Sequence, residues 1–101
     1  MNRIDKVIER CGEASVIEKL AEECSELSAA ALKLNCVRRG ESPMTELHAR
    51  ANMVGEIADV LVMIRVVRRI LNEAELLQLN QCASRKEQRM YKRLLKEGAD
   101  E

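Results

Sequence analysis

Between Val54 and Leu71 the chain is apolar at nearly every position: Val54, Ile57, Ala58, Val60, Leu61, Val62, Met63, Ile64, Val66, Val67, Ile70 and Leu71. Wound at 3.6 residues per turn, this run puts apolar side chains on nearly every side of a helix, and such a helix must be covered nearly all round. Three further short helices in a chain of 101 residues can hardly supply that cover. The run therefore predicts an all-α fold in which this third helix also packs against a second copy of the chain.

The remaining sequence divides into helices around it. Glycine and proline are few, four and one, and most stand where helices should stop. The first helix is predicted from Asn2 to just before Gly12, with Ile4, Val7, Ile8 and Cys11 on one face. Ser15 and Glu18 form a capping-box pattern for the second. Ile17, Leu20, Cys24, Leu27, Ala31 and Leu34 recur at steps of three and four, a seam for a partner helix, and Gly40 ends it. Ser42 is the expected cap of the third helix, with Pro43 in its first turn and Leu71 near its end. Asn72 and Glu75 predict the start of the fourth, which becomes strongly basic in its second half. Residues 98–101 are expected to fray. The whole reads as one all-α, four-helix bundle-like domain over residues 1–101.

Composition excludes several classes of function. Lys plus Arg equals Asp plus Glu, 17 each, which argues against a nucleic-acid binder. No stretch is long and apolar enough to span a bilayer, so no membrane partner is expected. The N-terminal residues are charged throughout and lack the apolar core of a secretory signal. The four cysteines, Cys11, Cys24, Cys36 and Cys82, form no Cys-x-x-Cys pair. They read as reduced, mostly buried thiols of a cytoplasmic protein.

Four acids carry the chemistry. Asp59 lies between Ala58 and Val60, and Met63, Val66 and Ile70 continue its face. An idle carboxylate there would cost several kcal/mol in desolvation. Glu56 lies one turn before it, so a positive partner is required. That partner is a metal ion, or a base such as Arg65, Arg68 or a cation of helix four. On helix two, Glu23 and Glu26 form a second pair at i, i+3, with Glu22 beside them, and Lys19 can pair with Glu23 at i, i+4. Antiparallel packing of helices two and three brings the pairs together. Four carboxylates make a hard, all-oxygen site suited to magnesium, with manganese as a substitute. The sole histidine, His48, is not placed to complete a Glu-x-x-His di-iron site.

The segments Glu23-Cys24-Ser25-Glu26-Leu27 and Glu56-Ile57-Ala58-Asp59-Val60-Leu61, with the lead-in Lys19-Leu20-Ala21-Glu22, resemble the E-x-x-E…E-x-x-D signature of the MazG-like, all-α nucleoside triphosphate pyrophosphohydrolases. The resemblance covers about Ile17 to Val67, and more loosely extends to Arg93. It implies hydrolysis of a nucleoside triphosphate to the monophosphate and pyrophosphate, as nucleotide-pool house-cleaning. It also implies magnesium held by Glu23, Glu26, Glu56 and Asp59. Glu23 or Glu22 would be the general base. Lys19, Lys86, Arg89 and Arg93 would bind phosphate, and the protein would be a homodimer or homotetramer. The chain departs from the family at the base. It has neither Trp nor Phe, and the position aromatic in some relatives is Met63, which leaves Met63 and Tyr91 as base contacts. Two other readings stay open: a phosphoribosyl-ATP pyrophosphatase, and a non-catalytic helical interaction protein whose acids are structural.

Overall fold

A computed structural model describes residues 1–96, which form four α-helices and, among the described residues, no strand. They are α1 (Arg3–Cys11), α2 (Glu13–Arg38), α3 (Glu46–Arg68) and α4 (Glu73–Leu95). The expected fraying at 98–101 lies outside the described residues. The chain divides into two compact units, Met1–Ile70 and Leu71–Glu101.

In the first unit, Asn2 caps α1 by accepting from the Asp5 N–H. Gly12 ends it at a positive φ of 88°, a conformation open to glycine at little cost. One residue suffices for this turn, so α2 begins at Glu13, and Ser15 lies inside the helix instead of capping it. Gly40, at φ 75°, ends α2 as expected. The third helix starts later and ends sooner than the sequence suggests. The Ser42 hydroxyl accepts from the Met44 N–H, closing a turn around Pro43. Thr45, not Ser42, caps α3 by accepting from the His48 N–H. At the far end the helix stops at Arg68, before Leu71.

Helices α2 and α3 form an antiparallel hairpin. Arg38 pairs with Glu46 at the loop end. Glu23 lies with Glu56 and Asp59 at the middle. Val16 shares a hollow with Met63 and Val66 at the open end. The inward positions of α2 are Val16, Leu20, Glu23, Leu27, Ala30, Leu34 and Val37. Those of α3 and the turn after it are Ala49, Met53, Glu56, Val60, Met63, Val67 and Ile70, with buried Val66 beside the row. Both sets alternate steps of four and three, the spacing of helices that meet along one seam. The predicted α2 seam is half right. Leu20, Leu27 and Leu34 point inward, but Ile17, Cys24 and Ala31 are exposed, and Val16, Glu23 and Ala30 take their places. Two of the four thiols, Cys11 and Cys24, are exposed and two half-buried, so they are less buried than expected.

The short helix α1 packs on both arms of the hairpin. Its Asp5 carboxylate accepts from the Arg69 Nε at 3.1 Å and Nη2 at 2.9 Å, a bidentate pair that ties α1 to the end of α3. In the second unit, Asn72 and Glu75 form a complete capping box for α4, and Lys96 ends it in the left-handed conformation. The predicted N-terminal signal is therefore the observed one.

The Arg69 hydrogen bonds hold the Asp5 carboxyl below its ordinary value. A depressed carboxylate contributes stability above its unfolded pKa and loses it as pH falls through its folded pKa. Wild type should therefore resist heat better than Asp5→Asn at neutral pH. The gap should close below about pH 4, as read by thermal unfolding at each pH.

Candidate metal centre

The centre is built where the hairpin seam turns polar. Glu23 occupies the same heptad position as Val16 and Ala30, and Glu56 the same position as Ala49 and Met63. The packing that buries those neighbours carries both carboxylates inward. Glu23 is 7% exposed and is the one buried charged residue among the described residues. Glu56 is half-buried and Asp59 exposed. One carboxylate oxygen from each of Glu23, Glu56 and Asp59 lies within 4.8 Å of the others.

Only part of this charge is compensated. The Lys19 ammonium stands 3.1 Å from Glu23 Oε1 and 3.6 Å from Glu22 Oε2. Bonding to Glu23, then the charges of Glu22 and Glu23, raises the Lys19 pKa. Glu23 Oε2 and Glu56 Oε2 are buried with no hydrogen-bond partner in the protein. A buried acceptor without a donor costs about 1–3 kcal/mol, and more when charged. Both oxygens belong to carboxylates that the facing helices bring together. A hard cation coordinated by carboxylate oxygens would satisfy both. Glu26 lies outside the triad but feels it. The charge of Glu23, then burial, then the charge of Glu56 raise its pKa.

These findings redistribute the weight among the acids. The sequence reading puts Asp59 on an apolar, covered face and Glu23 beside its helix's stripe. Asp59 instead stands at the exposed edge, because α3 turns its Val60 side into the seam, and Glu23 bears the burial. The sequence also bypasses two polar neighbours. A cleft of about 590 Å³ opens beside the acids, lined by Ala30, Lys33, Ala49, Asn52, Gly55, Glu56 and Asp59 among others. Lys33 is two turns past Glu26 on the same face of α2, and that spacing is the signal for it.

Met63 lines an apolar hollow of about 280 Å³ with Val7, Cys11, Val16, Lys19 and Val66, so it neighbours the acids through Lys19. Lys86, Arg89 and Arg93 line a surface hollow of about 310 Å³ on α4, together with Met90 and Leu94. Tyr91, half-buried on α4, donates its hydroxyl to Glu87 Oε1 at 2.6 Å. His48 is exposed. No protein-family model, curated protein or solved structure matches the chain.

Glu56→Gln removes one of the crowded charges and supplies a donor to the triad. It should leave the metal-free protein as stable as wild type or more so. Magnesium or manganese at about 100 times its dissociation constant should stabilise wild type by roughly 2.7 kcal/mol. Glu56→Gln should lose most of that gain, as measured by thermal unfolding with and without the ion.

Proposed function

We propose that the chain is a magnesium-dependent nucleoside triphosphate pyrophosphohydrolase of MazG-like, four-helix type, cleaving the α,β-anhydride to yield a nucleoside monophosphate and pyrophosphate. The observation that carries the reading is the pair of unpartnered buried oxygens, Glu23 Oε2 and Glu56 Oε2, on two members of the Glu23–Glu56–Asp59 cluster beside an open cleft. Structural acids would be expected to find donors inside the protein, whereas acids that hold a cation need not.

In this reading Glu23, Glu26, Glu56 and Asp59 hold magnesium, with manganese as a substitute. When bound, the ion supplies neutralisation of triphosphate charge and polarisation of the attacking water. The chain's own groups do the rest. Lys33 at the cleft and Lys19 at its end of the acid cluster attract phosphate oxygens. Glu22 is the better placed of the two expected bases. Glu23 is buried with one oxygen 3.1 Å from Lys19, whereas Glu22 is exposed and lies 3.6 Å from the same ammonium. Water oxygen bonds to phosphorus, its proton passes to the carboxylate, and the anhydride electron pair leaves on the departing phosphate group. Lys86, Arg89 and Arg93 remain the proposed phosphate clamp of α4, with Tyr91 and Met63 as base contacts. The same reading makes the protein a cytoplasmic homodimer or homotetramer acting in nucleotide-pool house-cleaning.

The test is a panel of ribo- and deoxyribonucleoside triphosphates, together with phosphoribosyl-ATP, assayed with magnesium for pyrophosphate against orthophosphate. Pyrophosphate should appear, and Asp59→Asn should lower kcat by about 100-fold or more with helicity unchanged. Turnover of phosphoribosyl-ATP alone would move the substrate to the related pyrophosphatase. No turnover, with no stabilisation by magnesium, would return the acids to a structural role.

A further inference from the structure

Gly55 stands in the middle of α3, where neither backbone geometry nor packing asks for glycine. Its φ is not positive, unlike that of Gly12 and Gly40. A Cβ built on it meets nothing within 4 Å among the described residues. A mid-helix glycine nonetheless lowers helix stability relative to alanine, because it has more backbone freedom to lose. The use left for a missing side chain is to let another molecule come close to the helix backbone.

The surroundings of Gly55 show what that molecule would be. Gly55 lines the cleft of about 590 Å³, with Asn52 one turn before it and Asp59 one turn after. The remaining walls are Glu56, Lys33 and alanine methyls. No aromatic ring and no apolar side chain larger than alanine lines it, so a nucleobase would find nothing to stack on. Its charges are ordered along the hairpin. At one end are Glu56 and Asp59, grouped with Glu23, which is 7% exposed and carries an unpartnered Oε2. Nearer the hairpin loop is Lys33, which makes no ion pair among the described residues. A polyphosphate carries anionic oxygens along its whole length. It can therefore meet a cation held by the acids at one end and an ammonium at the other. Toward the open end of the hairpin the surroundings turn apolar, where Val16, Met63 and Val66 line the smaller hollow.

We propose that the cleft between the acids and Lys33 receives the departing pyrophosphate, and that Gly55 sets its depth. The β- and γ-phosphates lie against the α3 backbone at Gly55, where a methyl group would displace them. This rests on the hydrolase reading and adds a direction to it: phosphates toward the hairpin loop, nucleoside toward Met63.

The test is isothermal titration calorimetry of the full chain with inorganic pyrophosphate and magnesium, beside thermal unfolding. Wild type should bind pyrophosphate. Gly55→Ala should raise the metal-free Tm by about 4–8 °C. It should also weaken pyrophosphate binding about tenfold or more, while stabilisation by magnesium alone is kept. Lys33→Gln should weaken pyrophosphate about tenfold, and Lys33→Arg should retain most of the affinity. Pyrophosphate bound equally by wild type and Gly55→Ala, or by neither, would overturn the pocket. A Tm lowered by Gly55→Ala would mean that another segment or a second copy packs on Gly55, and would overturn it too. Pyrophosphate bound as expected by a chain that turns over no nucleotide would uphold the pocket and sink the hydrolase reading. Turnover of triphosphates with pyrophosphate binding indifferent to both substitutions would do the reverse.

Discussion

The first unit depends on a single seam, and at its middle two glutamates take positions that repeat as Val16 and Ala30 on one helix and Ala49 and Met63 on the other. A hydrophobic seam without them would be simpler and more stable, because burying carboxylates forfeits apolar burial and adds repulsion. Just five hydrophobic residues count as buried among the described residues: Val16, Leu34, Ala49, Val60 and Val66. With so shallow a core, the polar middle is a substantial fraction of the seam. The Arg38–Glu46 pair at one end and the α1 strap through Asp5 and Arg69 at the other bracket it. Placing the fastenings at the ends lets the centre stay electrostatically unsatisfied without the arms parting.

Helix number and order were legible in the sequence because they are written in local signals: Asn2 and Asn72 as caps, Gly12 and Gly40 as stops, and the Asn72–Glu75 box. The phase of α2 was not. Its residues offer two apolar rows, Val16-Leu20-Leu27-Ala30-Leu34 and Ile17-Ala21-Cys24-Ala31, which share no boundary that periodicity alone can see. A reading that treats glutamate as an outward residue passes over Glu23 and chooses Cys24. The error is small in angle and large in consequence, since it moves a carboxylate from the seam to its edge. Only the position of α3 settles it. Likewise, Ser42-Pro43 is a sound helix start that Thr45 displaces, because the turn spanning residues 42–44 closes on itself first.

The acid site was legible as a set and not as a hierarchy. Glu23, Glu56 and Asp59 do converge, with Glu26 raised by their charge at the margin. Which one bears the desolvation depends on how α3 is rotated about its axis. The sequence reading singles out Asp59, since Ala58 and Val60 adjoin it and Met63, Val66 and Ile70 continue its face. On a helix, though, adjacent residues point about 100° apart. The neighbours that matter are Glu56 and Met63, and these lie on the border between seam and solvent.

The same geometry resolves the all-round apolarity of α3 into two separate demands. One sector, through Met53, Glu56, Val60 and Met63, meets α2. A second, through Val54, Ile57, Leu61 and Ile64, is exposed. Beside the first sector runs a polar strip of Asn52, Gly55 and Asp59, spaced three and four apart. The cleft opens on that strip. A ligand entering that cleft passes Lys33 and Asn52, where Gly55 carries no side chain to narrow the way.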